Sequence, residues 1–474
     1  VCLIFYGCTV GMLIEIIYRM LIKKHTLHLL SKMKAFRHRN IENIGMGNHK
    51  QMLTIRIFLG VIIWSIAYSQ TPIENETKLN DLIKEGLANN PLRHAYYEDI
   101  GVAESKVSQS SALPDPMLSL NLMNLPFENF GFDQEPMSGK QLAIMQGIPF
   151  PGKLRLKEKI SEVDVEISKD LYEEASNSLI RSLSTYYYNL YFVDEAIATI
   201  DKNRQLVTEL LKVAEQKYAV GKGLQQDVLK AQVELSLMTE RIISLKQNRE
   251  QIEAELNTLL NRPVEQSFGP TGTPLIEKYS LSLTELKTLG DENRPLLKQW
   301  QKRIEKGTRK IDLAKKNLMP DFSVSAAYTQ RDVLQSGIGG ADFLSTGVSL
   351  NLPIYSRNKQ RQNVTEKKIE NKGLQERYKS VQNQVYRDIY NSLTKLEESL
   401  ELIDLYRTGI IPQAGQSLAS AMTGYQTDKV DFLTLISSQM TLFNLELEYA
   451  RLISNYNKQK VDLEFFIGTP LPLN

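Results

Sequence analysis

The chain has 474 residues, 24% charged and 42% hydrophobic, a balance that fits neither a disordered polymer nor a polytopic helical membrane protein. Its formal charge of +2 carries no basic block, which argues against nucleic acid as a partner. Cysteine stops at Cys8, and beyond Met52 the sole histidine is His94, in the polar helix start "NPLRHAYYED". That leaves no disulfide framework, no Cys/His zinc set and no cysteine nucleophile, which argues against most hydrolytic and redox chemistry. A carboxylate-based enzyme would need an acidic pair in a pocket, and none repeats or clusters, so no enzyme and no cofactor are expected.

In chain order, Met52–Gln70 reads as an export signal: Arg56, an apolar run from Ile57 to Ile66, then Ala67-Tyr68-Ser69 with small residues at the cleavage positions. The expected signal peptide is 52–69, with the mature chain starting near Gln70. Residues 1–51 are expected to be a non-native upstream extension. The rival, a membrane segment over Leu3–Ile22, is interrupted by Glu15 and Arg19.

The remainder divides into two repeats, 70–270 and 271–474. Asn90-Pro91 matches Arg294-Pro295, Pro114-Asp115 matches Pro320-Asp321, and Ile148-Pro149 matches Leu352-Pro353. Asp227-Val228-Leu229 then matches Asp431-Phe432-Leu433, and Pro263 matches Pro470. Each half reads helix, strand, strand, long helix, helix. Leu118, Leu120 and Leu122 alternate with Ser119 and Asn121, and the strand after Pro320 alternates likewise, as do the returning strands 141–148 and 343–352. At about ten residues each, such strands cross a bilayer when tilted. Gly-rich loops join each pair.

From Gly152 to about Tyr218 no Pro or Gly follows the start, predicting a helix of roughly 100 Å. After Asp227, Val228, Ala231, Leu235, Met238, Ile242, Leu245, Arg249, Ile252, Leu256 and Leu259 step by three and four, with Arg249 the one polar intruder; this is coiled-coil packing. The adjacent Tyr186, Tyr187 and Tyr188 point in different directions and read as helix packing. Four strands cannot close a barrel, since about eight is the smallest number that does. An open sheet in lipid leaves edges unpaired. Three chains would supply twelve strands, a closed barrel with a water-lined interior.

"ALPDP", "IPFPGK" at 148–153, "YAVGKGLQQDVLKAQVEL" at 218–235, "YQTDKVDFLTLISSQMTL" at 425–442 and the closing "LEFFIGTP" together resemble the TolC family of outer-membrane efflux proteins. The "IPFPGK" and "KVDFL" forms are most similar to its heavy-metal (CzcC/CusC-type) branch. The resemblance covers about Lys78 to Pro470. It implies a mostly α chain with a small β part: duplicated helical hairpins and four membrane strands, trimerising into a twelve-stranded barrel above a periplasmic helical tunnel. It further implies the outer membrane as location, its lipid as surroundings, and a periplasmic membrane-fusion adaptor and an inner-membrane pump of the resistance-nodulation-division type as partners. The duct would be passive, carrying metal cations or drugs. The alternative is a non-conducting coiled-coil protein bridging the envelope.

By resemblance, Asp431 falls on an acidic gate position at the periplasmic tip, and Asp227 is its repeat partner; Thr434 stands where the family has a second aspartate. Two roles are open for Asp227 and Asp431, a ring of like charge that admits cations and capping of the return helices. At the tip turns, Gly221 and Gly223 permit left-handed backbone, while Asp428, followed by Lys429, replaces a usual glycine and tolerates that conformation. The second turn is expected to be shorter than the first. Met117, Met123, Met137 and Met145 cluster around the first strand pair; packing and soft-metal contact are both open.

Overall fold

A computed structural model describes residues 76–279 and 282–472. The expected signal peptide at 52–69 and the extension at 1–51 lie outside these residues. Helices α1 (Leu79–Asn89) and α2 (Pro91–Ser111) lead into strands β1 (Met117–Met123) and β2 (Gly139–Ile148), then helices α3 (Lys153–Ala219) and α4 (Gln225–Leu260). The order then recurs: α5 (Leu283–Asn293), α6 (Pro295–Lys316), β3 (Asp321–Gln330), β4 (Phe343–Asn351), α7 (Gln360–Leu405), α8 (Ile411–Gln426) and α9 (Phe432–Ile467). The chain is therefore mostly helical with one small antiparallel sheet.

The helix joints show how one backbone solution serves two chemistries. Asn90 and Arg294 each precede a proline that opens a helix, where the missing N–H costs nothing. Asn90 caps α2 by accepting from the Arg93 N–H at 3.0 Å and donates to the Leu259 carbonyl at 2.9 Å. Arg294 is buried; it donates to Glu174 at 2.7 Å and to the Phe465 carbonyl at 2.6 Å, and lies 3.9 Å over the Phe465 ring.

Helix α3 runs for 67 residues, about 100 Å, as its lack of breakers predicts. It packs against α1, α2, α4, α6 and α9. On α4 the predicted stripe is buried at Ala231, Met238, Ile242, Ile252 and Leu256. Arg249 interrupts the stripe by design: it donates to Asp194 at 2.7 Å, to the Phe268 carbonyl at 3.0 Å and to Glu253. Tyr187 is buried and Tyr188 meets it edge-on, so the tyrosine run is packing, and His94 is exposed. In the second half α7 and α8 form one long helix broken by a π turn at Tyr406–Ile410. Pro412 explains it: a proline ring collides with the carbonyl four residues back, and the wider turn makes room.

Among the described residues, one buried carboxylate lacks a partner. Asp170 of α3 is 9% exposed and its Oδ2 has no hydrogen bond, with Lys298 and Lys302 of α6 and Glu166 and Glu173 of its own helix nearby. Burial pushes its pKa up to about 6, against an ordinary 3.8, despite the two lysines. A folded pKa above the unfolded one means the folded state holds the extra proton, so stability falls as pH rises between these values. Asp170→Asn is expected to raise stability on the order of 1–2 kcal/mol at pH about 7.5, after discounting for solvent and the lysines, and to gain nothing at pH about 4. Urea unfolding midpoints of both proteins at the two pH values check this.

The four strands pair antiparallel in the order β1-β2-β3-β4, so the two halves join through β2 and β3. β1 has seven residues rather than the expected ten, because Asn124 turns left-handed (φ 50) at its end and Pro126 follows. Register sorts the side chains cleanly. Leu120 faces Leu142, Leu142 faces Tyr328, and Tyr328 faces Leu344, making one apolar face. Asn121 faces Gln141, Gln141 faces Thr329, and Ser323 faces Ser349 on the other. The apolar face is not covered: Leu120 is 75% and Leu344 76% exposed. Among the described residues, β1 and β4 each keep one unpaired edge. Met117 and Met145 stand directly across from one another on the serine-bearing face.

Candidate functional site

The predicted tip residues other than Asp227 fall in two turns, 220–224 between α3 and α4 and 427–431 between α8 and α9. Both are five residues long, so the second is not shorter, contrary to expectation. Helix α4 begins before Asp227: its N-cap is Leu224, with no side-chain cap, and Asp227 sits inside the first turn of the helix. Asp431 does cap α9, accepting from the Thr434 N–H at 2.8 Å. The Thr434 hydroxyl and amide hold its carboxyl below the usual carboxylate range. Asp227 and Asp431 are thus not structural equivalents. One caps; the other adds negative charge near the positive end of a helix dipole.

The two turns share a backbone device. Lys222 N–H donates to the Lys217 carbonyl and Lys429 N–H to the Gly424 carbonyl, both at 2.8 Å, each spanning a left-handed residue. These residues are Gly221 (φ 77) and Asp428 (φ 59), so the aspartate adopts the conformation expected of it. Gly223 serves a different purpose from the left-handed backbone predicted for it. Its φ is not positive; a Cβ there would lie 3.0 Å from Lys217 Cβ and from Tyr218 N. Glycine is needed for close approach to the end of α3.

The side chain that joins the two turns is Lys217, absent from the sequence reading. Its Nζ donates to the Tyr425 carbonyl at 2.6 Å and to the Asp428 carboxylate, and lies 4.2 Å from the Tyr425 ring centroid. That ion pair, with the charge of Lys222 nearby, holds the Asp428 carboxyl below its usual range. Tyr425 is buried, stacks edge-on against Phe432 at 5.5 Å, and its hydroxyl has no hydrogen-bond partner among the described residues. Burial first, then the charges of Asp227 and Asp428, push its pKa up. Tyr425 therefore brings Asp227 and Asp428, from different hairpins, into one electrostatic neighbourhood. Asp431 and Lys429 remain exposed.

A lysine in the last turn of a helix reads in sequence as dipole compensation, so nothing in the spacing marks Lys217 as a link between hairpins. Among the described residues no group of three or more His, Cys, Asp or Glu could hold a metal ion, and no helix is long and apolar enough to cross a membrane.

Residues 82–262 and 290–469 each match the sequence profile described as outer membrane efflux protein, the two matches falling on the two halves of the fold. The chain is 21% identical over 323 residues to outer membrane protein TolC of Escherichia coli, covering 63% of each chain. It is 20% identical over 286 residues to the cobalt-zinc-cadmium resistance protein CzcC of Cupriavidus metallidurans, covering 60% of this chain and 66% of that one. The matched part thus spans a little under two thirds of each of these relatives. The structure superposes on the outer-membrane channel OprN with a TM-score of 0.71 at 18% identity, covering 83% of this chain and 90% of that one. A profile matched twice, on both halves of a duplicated helical and strand framework, settles the relationship: the chain belongs to the outer membrane efflux protein family.

Proposed function

We propose that three copies of this chain form an outer-membrane duct: twelve strands closed into a barrel, and the long helices ranged below it into a periplasmic tunnel. One observation carries this reading, the exposed four-stranded sheet with an apolar face, a serine-bearing face and two free edges. Each unpaired backbone group in lipid costs several kcal/mol, so strand β4 of one copy must pair with β1 of the next. The leucine face then meets lipid and the serine face lines water. A non-conducting bridge leaves those leucines in water with no role.

The duct is passive and takes its substrate from a periplasmic adaptor and an inner-membrane pump, in keeping with the efflux relatives. Metal cations or drugs are the cargo; the metal reading follows the resemblance to the cobalt-zinc-cadmium relative. Threefold symmetry brings Asp227 and Asp431 from three copies toward one axis at the tips, where like charges repel unless cations intervene. Lys217 restrains this opening by tying the two hairpins of a copy together. Gly221 and Gly223 shape the turns, and Asp428 and Lys429 complete them.

Cys2 and Cys8 are the chain's two cysteines, so with both replaced by serine, engineered cysteines can report strand pairing against a clean background. Cysteines scanned at Ser119 and Asn121 against Ser345 and Ser349 should give, at one register, a ladder ending at a covalent trimer. Absence of any intersubunit link at every register would contradict the assembly. At the tip, Asp431→Asn keeps an N-cap but removes charge, whereas Asp431→Ala removes both. Cation preference should fall in both variants and the thermal midpoint only in the alanine one; unchanged selectivity in Asp431→Asn would leave capping as the sole role.

A further inference from the structure

All four strand ends that adjoin helices lie at one end of the sheet, and charge is distributed unevenly between its ends. The loops at the far end, 124–138 and 331–342, carry Glu128, Asp133, Glu135, Asp332 and Asp342 against Arg331. At the helix end, the segments 149–159, 309–320 and 352–361 carry eleven lysines and arginines against two carboxylates, Glu158 and Asp312. Aromatic rings sit in the same collar. Phe150 stacks on Phe322 at 6.4 Å with the Lys316 ammonium 5.4 Å from its ring, and Tyr355 is 82% exposed. Aromatic rings and cations together mark a membrane–water boundary.

Within this collar a groove of about 540 Å³ opens between the end of α2, the start of α3 and the end of α6. Its walls combine Lys157 and Lys310 with Ser110 and Ser161, with the apolar Leu113 and Leu154, and with one carboxylate, Asp115. Neighbouring Lys153 and Arg309 are paired with Asp321 and Glu305, whereas Lys157 and Lys310 are exposed and form no ion pair among the described residues. Leu113 is four residues from the first residue of β1, so the groove abuts the sheet whose leucine face is uncovered.

We infer that this groove binds the headgroup of an anionic phospholipid, its phosphate between Lys157 and Lys310 and its glycerol and first acyl carbons on Leu113 and Leu154. The inference rests on the membrane-spanning reading of the sheet, which sets the groove at headgroup depth. Each lysine near an anionic surface contributes attraction that a zwitterionic lipid cannot match. The excess of cations at this end and of carboxylates at the other sets the same preference over the whole collar.

The test uses the purified full assembly in detergent, with native mass spectrometry counting retained lipids and a thermal melt reading stability. Phosphatidylglycerol should be retained and raise the midpoint by several degrees, while phosphatidylethanolamine and soluble glycerol phosphate should do neither. In Lys157→Glu/Lys310→Glu, phosphatidylglycerol retention should drop about tenfold or more. If that variant fails to assemble, Lys157→Gln/Lys310→Gln should show a smaller loss in the same direction. Equal retention of the two lipids, saturation by glycerol phosphate alone, or undiminished retention in an assembled variant would overturn the inference. An assembly that selects phosphatidylglycerol but passes no current would sustain the inference while the duct reading fails.

Discussion

Replacing Leu120 by arginine is expected to abolish stable insertion, because Leu120 lies at the centre of β1 on the apolar face and is three-quarters exposed within one chain. A charged residue at the bilayer midplane of a β-barrel costs about 2–4 kcal/mol, and the substitution occurs once per copy. The neighbouring Asn121→Arg puts the same charge on the serine-bearing face, paired across from Gln141. It should insert normally and lower cation conductance. The heat-sensitive oligomer band and recovery in the outer-membrane fraction check both variants. Equal loss in the two would mean that the faces are not divided between lipid and water.

The second large effect concerns stability. Arg294 is buried at the joint between α5 and α6, and its guanidinium grips Glu174 of α3 while donating to a carbonyl of α9 and covering Phe465. Arg294→Met leaves Glu174 without its cation and the Phe465 carbonyl without its donor. Breaking a buried pair by removing one partner typically costs about 3–5 kcal/mol. The urea midpoint should fall accordingly, and Glu174→Gln in the same chain should recover part of the loss, since the unpaired charge is then gone. No recovery would place the cost in lost packing against Phe465 rather than in the orphaned carboxylate.

Much of this fold is written in residue spacing. Alternation at Leu118, Leu120 and Leu122 fixed the strand and its apolar face, and the absence of breakers after Gly152 fixed the length of α3. These are local properties with a period of two or a missing kink, so the sequence carries them openly. The tips were legible only in part. Asp428 took the left-handed turn and Asp431 the cap, both local chemistry. Asp227 did not align with Asp431, because α4 starts at Gln225 without a side-chain cap, which puts Asp227 inside the helix rather than at its boundary. Gly223 answers to the nearness of Lys217, not to its own φ. Lys217 joins residues 208 and 211 positions away, and Arg294 joins Glu174 across 120. Such pairs exist only after helices pack, so no spacing rule announces them.

The most direct test of the duct is single-channel conductance of the purified assembly in a planar bilayer, read for the wild type and for Lys217→Met. The account predicts discrete, cation-preferring steps that are rare or small in the wild type and larger or longer in the variant, where the two hairpins of each copy are no longer tied through Tyr425 and Asp428. Well-folded assemblies of both proteins that insert and pass no current at any voltage would contradict it.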